Sequence, residues 1–113
     1  MKIDAYTFGR ITIGGVSYTN DIIVFHNSVS PNWWRKEGHS LFPEDLEEVV
    51  KRGVRKLIIG CGASSVMRVP EATLAWLREK GITPVALDTA SAVEEYNKCA
   101  EDPEAAACLH LTC

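Results

Sequence analysis

Apolar and polar positions alternate through Phe8–Asn20, FGRITIGGVSYTN, on both sides of Gly14-Gly15. A period of two marks half-buried strands, and a glycine pair between them supplies the positive φ that a tight hairpin turn needs. Asp21–His26, DIIVFH, predicts a further apolar strand. The pattern then lapses over Val29–Pro43, VSPNWWRKEGHSLFP, where Pro, Asn, Gly and Ser punctuate the chain without periodicity. That predicts a loop of about a dozen residues, a length more often used for function than for connection.

Helical spacing follows. In Pro43–Gly53, Leu46, Val49 and Val50 fall on one face, with Glu44, Asp45, Glu47, Glu48 and Lys51 opposite. Proline suits the first turn, acids the amino end, Lys51 and Arg52 the last turn, and Gly53 the stop. Val54–Gly60, VRKLIIG, is apolar enough at its end for a strand covered on both faces. Pro70–Gly81 predicts a second helix between Pro and Gly, and Ile82–Asp88 another strand. Thr89–Ala100 predicts a third helix capped by Asp88 or Thr89, and the chain closes on a strand after Asp102-Pro103. A hairpin and a strand followed by α-β-α-β-α-β define one α/β domain over 1–113, with a mixed, partly parallel central sheet and right-handed crossovers.

Composition narrows the functions. With 113 residues, 46% hydrophobic and 24% charged, the chain can bury a core without metal or disulfide staples. A net charge of -3 provides no clustered cations for nucleic acid. No apolar run reaches the roughly 18 residues of a membrane span, and Met1–Gly15 has no signal-like apolar stretch, so the cytoplasm is the expected compartment. Cys61, Cys99, Cys108 and Cys113 form no CxxC pair and no zinc-ligand spacing; in a reducing compartment such residues serve as small hydrophobes, a late pairing among the last three being the alternative. No metal or cofactor is expected.

Candidate chemistry gathers around Gly60-Cys61-Gly62. A dinucleotide fingerprint needs a third glycine and an immediate helix, and a P-loop needs Gly-Lys-Ser/Thr; neither is present. The glycines then read as a turn with positive φ or close packing. Cys61, at the carboxyl end of a parallel strand, would sit at the ligand crevice of an α/β sheet, where a nearby base such as His39 could activate it. His26 and His110 lie in strand-like runs and read as structural. Trp34, Arg35 and His39 form either a cleft wall or a core plug, Arg35 stacking on a tryptophan or pairing with a carboxylate. If the strand ending at Asp88 neighbours the one ending at Gly60, then Asp88, Thr89, Gly60, Cys61, Gly62 and Ser64 share one rim.

The ordered set Gly60-x-Gly62, Val69-Pro70, Gly81, Ala92, Tyr96-Asn97 and His110-x-Thr112-Cys113, with the loop Trp34-Arg35-x-x-Gly38-His39, resembles the MTH-like domain family. That family includes small bacterial and archaeal proteins of unknown function, an adipogenesis-associated cytosolic protein and a mitochondrial assembly factor for respiratory complex I. The resemblance implies a three-layer α/β domain. It carries over no reaction, and it draws attention to Asn97 as a hydrogen-bonding residue. The expected function is a non-catalytic binding or assembly module with a protein partner. The alternative is a small enzyme or small-molecule binder: Arg35 would hold an anionic group, Cys61 would attack or contact it and His39 would move a proton. A homodimer formed through the tryptophan loop or the hairpin edge is a third expectation.

Overall fold

The computed structural model describes all residues, Met1–Cys113. Its strands are β1 (Ile3–Thr7), β2 (Arg10–Ile13), β3 (Val16–Tyr18), β4 (Ile22–Val24), β5 (Val29–Ser30), β6 (Lys56–Gly60), β7 (Thr83–Leu87) and β8 (Ala105–Leu109). Its helices are α1 (Glu47–Lys51), entered through a 3-10 turn at Pro43–Leu46, α2 (Glu71–Glu79) and α3 (Thr89–Lys98). β1, β2 and β3 make an antiparallel sheet of their own, and the central sheet has the order β5-β4-β8-β6-β7. β6 runs parallel to both β7 and β8, while β4 is antiparallel to β8. The mixed α/β architecture expected from the strand–helix alternation is therefore present.

Alternation along the central strands builds two cores. Leu57, Ile59, Ala106, Cys108 and Ile23 face one side, packed with Leu46, Val49 and Leu77. Ile58, Ala107, Leu109, Ile22 and Val24 face the other, packed with Ala92, Val93 and Tyr96 of α3 and with Ile3, Ile11 and Ile13 of the small sheet. A strand with both faces covered must be apolar at every position, which is why β8 is buried from end to end.

Gly14 (φ 58°) and Gly15 (φ 79°) turn β2 into β3 as the alternation predicts. β1 is an addition: Phe8-Gly9 turns it into β2, and Gly9 N donates to Leu111 O at 2.8 Å. The first predicted helix is shorter than its pattern. Asp45, expected on the solvent face, is buried and accepts from Lys36 N at 3.0 Å and Phe42 N at 2.9 Å. Those two bonds tighten the entry into a 3-10 turn and anchor the tryptophan loop. Part of that loop is also regular, since Val29–Ser30 pairs with β4.

β7 is an open edge of the central sheet. Thr83 N donates to Arg55 O and Leu87 O accepts from Cys61 N, so the alternate positions Pro84 and Ala86 point their polar groups outward. Proline has no N–H to offer a further strand, and the edge is blunted. No helix of the chain is long and apolar enough to cross a membrane.

Candidate functional site

The parallel strands β6 and β7 end side by side, Gly60 opposite Leu87, so the Gly60–Ser64 loop and the Asp88-Thr89 helix start do share one rim. Thr89 N donates to Gly62 O at 3.0 Å, and Gly62 N donates to Thr89 Oγ1 at 2.8 Å. Thr89 Oγ1 donates in turn to His110 O at 2.6 Å. That last bond shows what fills the rim. Beyond β8 the chain runs on through His110–Cys113 along the loop: Ala63 N donates to Thr112 O at 2.6 Å and Val66 N to the Cys113 oxygen at 3.0 Å. Loop amides that a phosphate would have used, Gly62 N, Ala63 N and Val66 N, are bonded to the protein's own Thr89 hydroxyl and last residues.

Both glycines follow from that contact. A β-carbon on Gly60 would lie 2.8 Å from Leu109 Cδ2 and 3.0 Å from Thr89 Oγ1. One on Gly62, whose φ is +107°, would collide with the Cys113 main chain. Close approach and positive φ, the structural reading of the pair, account for both positions.

Cys61 points into the core, packed with Trp33, Met67 and Cys108, and is 6% exposed. Burial, and then the charge of Asp88, push its thiol up, away from the thiolate that attack requires. His39 is exposed, and no hydrogen bond joins it to Cys61; the structure does not assemble the proposed nucleophile and base. Asp88 is the α3 N-cap: it accepts from Ser91 N at 3.0 Å and Ser91 Oγ at 2.7 Å, which hold its carboxyl below the usual range. Ser64 stands exposed on the loop. Asn97 lies away from the rim, bonded to Ile3.

Arg35 meets both roles read for it as a core plug. Its guanidinium lies 4.8 Å from the Trp33 ring centroid, and Nη1 donates to Asp21 Oδ2 at 2.7 Å. Nη2 donates to Gly38 O at 3.1 Å. The expected anion-binding cation is therefore already paired and 6% exposed. His110 completes the group, with Nδ1 2.8 Å from Asp21 Oδ2 and 3.2 Å from Arg35 Nη2. Nδ1 faces an acceptor-only carboxylate and a donor-only guanidinium; the carboxylate is the nearer, so Nδ1 donates to Oδ2, and Arg35 Nη2 gives its own bond to Gly38 O. Asp21 Oδ1 accepts from Leu111 N at 2.8 Å. Burial alone would raise the Asp21 carboxyl; the bonds from His110, Leu111 N and Arg35 outweigh it and hold the group below its ordinary value.

Above this network lies a shallow cleft of about 450 Å³, lined by Thr19, Asn20, Asp21, Asn32, Trp33, Trp34 and Thr112. Trp33 is its buried wall, its Nε1 donating to Asp45 O at 2.9 Å. Trp34 is 76% exposed. Phe8, 66% exposed, lies in the β1–β2 turn whose Gly9 meets Leu111 and Thr112. A neighbouring hollow of about 210 Å³ shares Thr19, Asn20 and Asn32, and Asn20 Nδ2 donates to Asn32 Oδ1 at 2.7 Å on the common wall. Of this site the sequence had marked Trp34 and Arg35. Asp21 and His110 lie in strand-like runs of the sequence; a lone carboxylate opening an apolar strand is the available signal.

A three-layer α/β domain with its strand ends sealed by its own last residues is a defined class, and comparison places the chain within it. Residues 3–110 match the family described as a protein of unknown function (DUF498/DUF598), and the chain belongs to that family. It is similar to a crystal structure described as an outer membrane protein from Bartonella henselae, at 29% identity and a TM-score of 0.82 over 97% of this chain and 93% of that one. A protein called MT938 is 28% identical over 99% and 98% of the two chains, with a TM-score of 0.79. The conserved hypothetical protein PH1505 from Pyrococcus horikoshii, 20% identical, shares the fold over the full length of both chains at a TM-score of 0.83. These agree with the MTH-like resemblance read from the sequence.

Proposed function

We propose that this domain is a non-catalytic binding module whose contact site is the cleft between the β3–β4 connection, the tryptophan loop and Thr112. The observation that carries the reading is Trp34, a large aromatic side chain 76% exposed beside a wall and floor that are buried and fixed. Exposed aromatics at a cleft are the usual anchors of binding surfaces, and a preformed site loses little entropy when it is filled. Asp21, Arg35 and His110 support the same reading, because their mutual bonds hold the floor in one arrangement. The enzyme alternative rested on an activated Cys61, and a buried thiol pushed up by its surroundings argues against it. The cytoplasm is the compartment this reading assumes, supported by four free cysteines.

The test is a photo-reactive benzophenone residue placed at exposed Thr19 in the cleft lining, which leaves Trp34 in place, and separately at exposed Val16 at the start of β3. Irradiation in the cells that make the protein should give an adduct of defined mass at position 19 and none at position 16. Equal labelling at both positions, or none at 19, removes the cleft as the contact site.

A further inference from the structure

Resting on that reading of the cleft, we infer that its ligand is a neutral saccharide, with one pyranose ring stacked on the Trp34 indole and its hydroxyls bonded by Asn20, Asn32 and Thr112.

Charge supplies the first argument. None of the residues lining the cleft is cationic, and Arg35 beneath it is consumed by Asp21 and Gly38. An anion therefore finds no counter-charge. The lining carboxylate, Asp21, already accepts from Arg35, His110 and Leu111 N, so a cation finds its partner compensated. A site of this kind favours a ligand that is polar and uncharged.

Hydrogen-bond chemistry supplies the second. Carboxamides and hydroxyls offer donors and acceptors together, as a sugar hydroxyl does. The bond from Asn20 Nδ2 to Asn32 Oδ1 orients both amides and leaves Asn20 Oδ1 as an acceptor and Asn32 Nδ2 as a donor. An indole face carries negative potential, which attracts the polarised C–H bonds on the flat side of a pyranose ring.

Shape supplies the third. The cleft is open, and a second hollow lies against the Asn20–Asn32 pair that both share. An open cleft flanked in this way suits linked rings better than a compact metabolite, which proteins enclose far more fully.

The full chain is titrated with maltotriose, cellotriose and triacetylchitotriose while the Trp34 indole N–H resonance is followed by NMR. At least one trisaccharide should shift that resonance saturably. Trp34→Leu, which keeps apolar area but removes the aromatic face and the reporter resonance with it, should weaken that binding about tenfold when variant and parent are compared by isothermal titration calorimetry. Asn20→Ala should weaken it with the indole shift retained at saturation. The inference is overturned if none of the three moves the resonance, if Trp34→Leu binds as tightly as the parent protein, or if glucose 6-phosphate or adenosine binds more tightly than every trisaccharide. If the sugars fail while position 19 still cross-links, only the ligand class falls. If both fail, the cleft reading falls with it.

Discussion

The side-chain amide of Asn97 completes both main-chain bonds of Ile3. Ile3 N donates to Oδ1 at 2.8 Å, and Nδ2 donates to Ile3 O at 2.9 Å. The β1–β2 register slips between Ile3 and Ala5, and at that irregularity a helix residue stands in for a strand partner. Asn97→Ala should cost about 2 kcal/mol, since two bonds are lost and their main-chain partners stay half-buried. Urea unfolding measures the loss, and amide exchange should quicken in β1 before it does in β6.

Asp21 joins the tryptophan loop to the chain's last residues. Asp21→Ala leaves the Arg35 guanidinium buried without its counter-charge, and about 3 kcal/mol of stability should go with it. Adding Arg35→Met should recover part of that loss, which a double-mutant cycle in chemical denaturation would read.

The same residue sets an acid response. Its folded-state carboxyl titrates below the unfolded value, so it contributes stability that is complete above that value, about 3.9. The contribution is lost as pH falls through the lower folded value. Asp21→Asn should therefore flatten the decline in melting temperature below about pH 4, relative to the parent protein. An unchanged slope would show that other carboxylates dominate.

Gly62→Ala should be among the most damaging small substitutions, because a methyl group there meets the Cys113 main chain at a positive φ. A loss of about 4 kcal/mol or failure to fold is expected. Gly53→Ala is the control: its φ is also positive at +70°, but nothing lies within 4 Å, so about 1 kcal/mol should be lost. Thermal melts of the pair separate collision from backbone strain.

Thiol labelling of the native protein should proceed at exposed Cys113 and spare Cys61 and Cys108, both buried with raised thiols. Mass spectrometry across pH 5 to 9 reads each site. Rapid modification of Cys61 alone would reopen a chemical role for the glycine loop.

Local chemistry made much of the fold legible. Pro70 and Gly81 bracket α2, Asp88 caps α3, and Gly14-Gly15 turns a hairpin, because each of those signals acts within a few residues. Asp45 could not be placed from its helical face, since its partners at Lys36 and Phe42 belong to an irregular loop. The floor of the cleft was hidden for the same reason on a larger scale. Asp21 and His110 meet across a separation of 89 residues, and no periodicity encodes such a meeting. The shared rim at Gly60 and Thr89 was legible from topology; that residues 110–113 would occupy it was not.

The place of β8 in the sheet has a consequence for synthesis. It is the final strand in sequence, yet it lies between β4 and β6, the only link between the antiparallel and parallel halves. A chain that has emerged only as far as α3 lacks the strand that bonds both β4 and β6, and its central sheet cannot close. Closure waits for residues 105–109, and until they pair, β4 and β6 each lack the neighbour that covers an edge of the kind that recruits other chains.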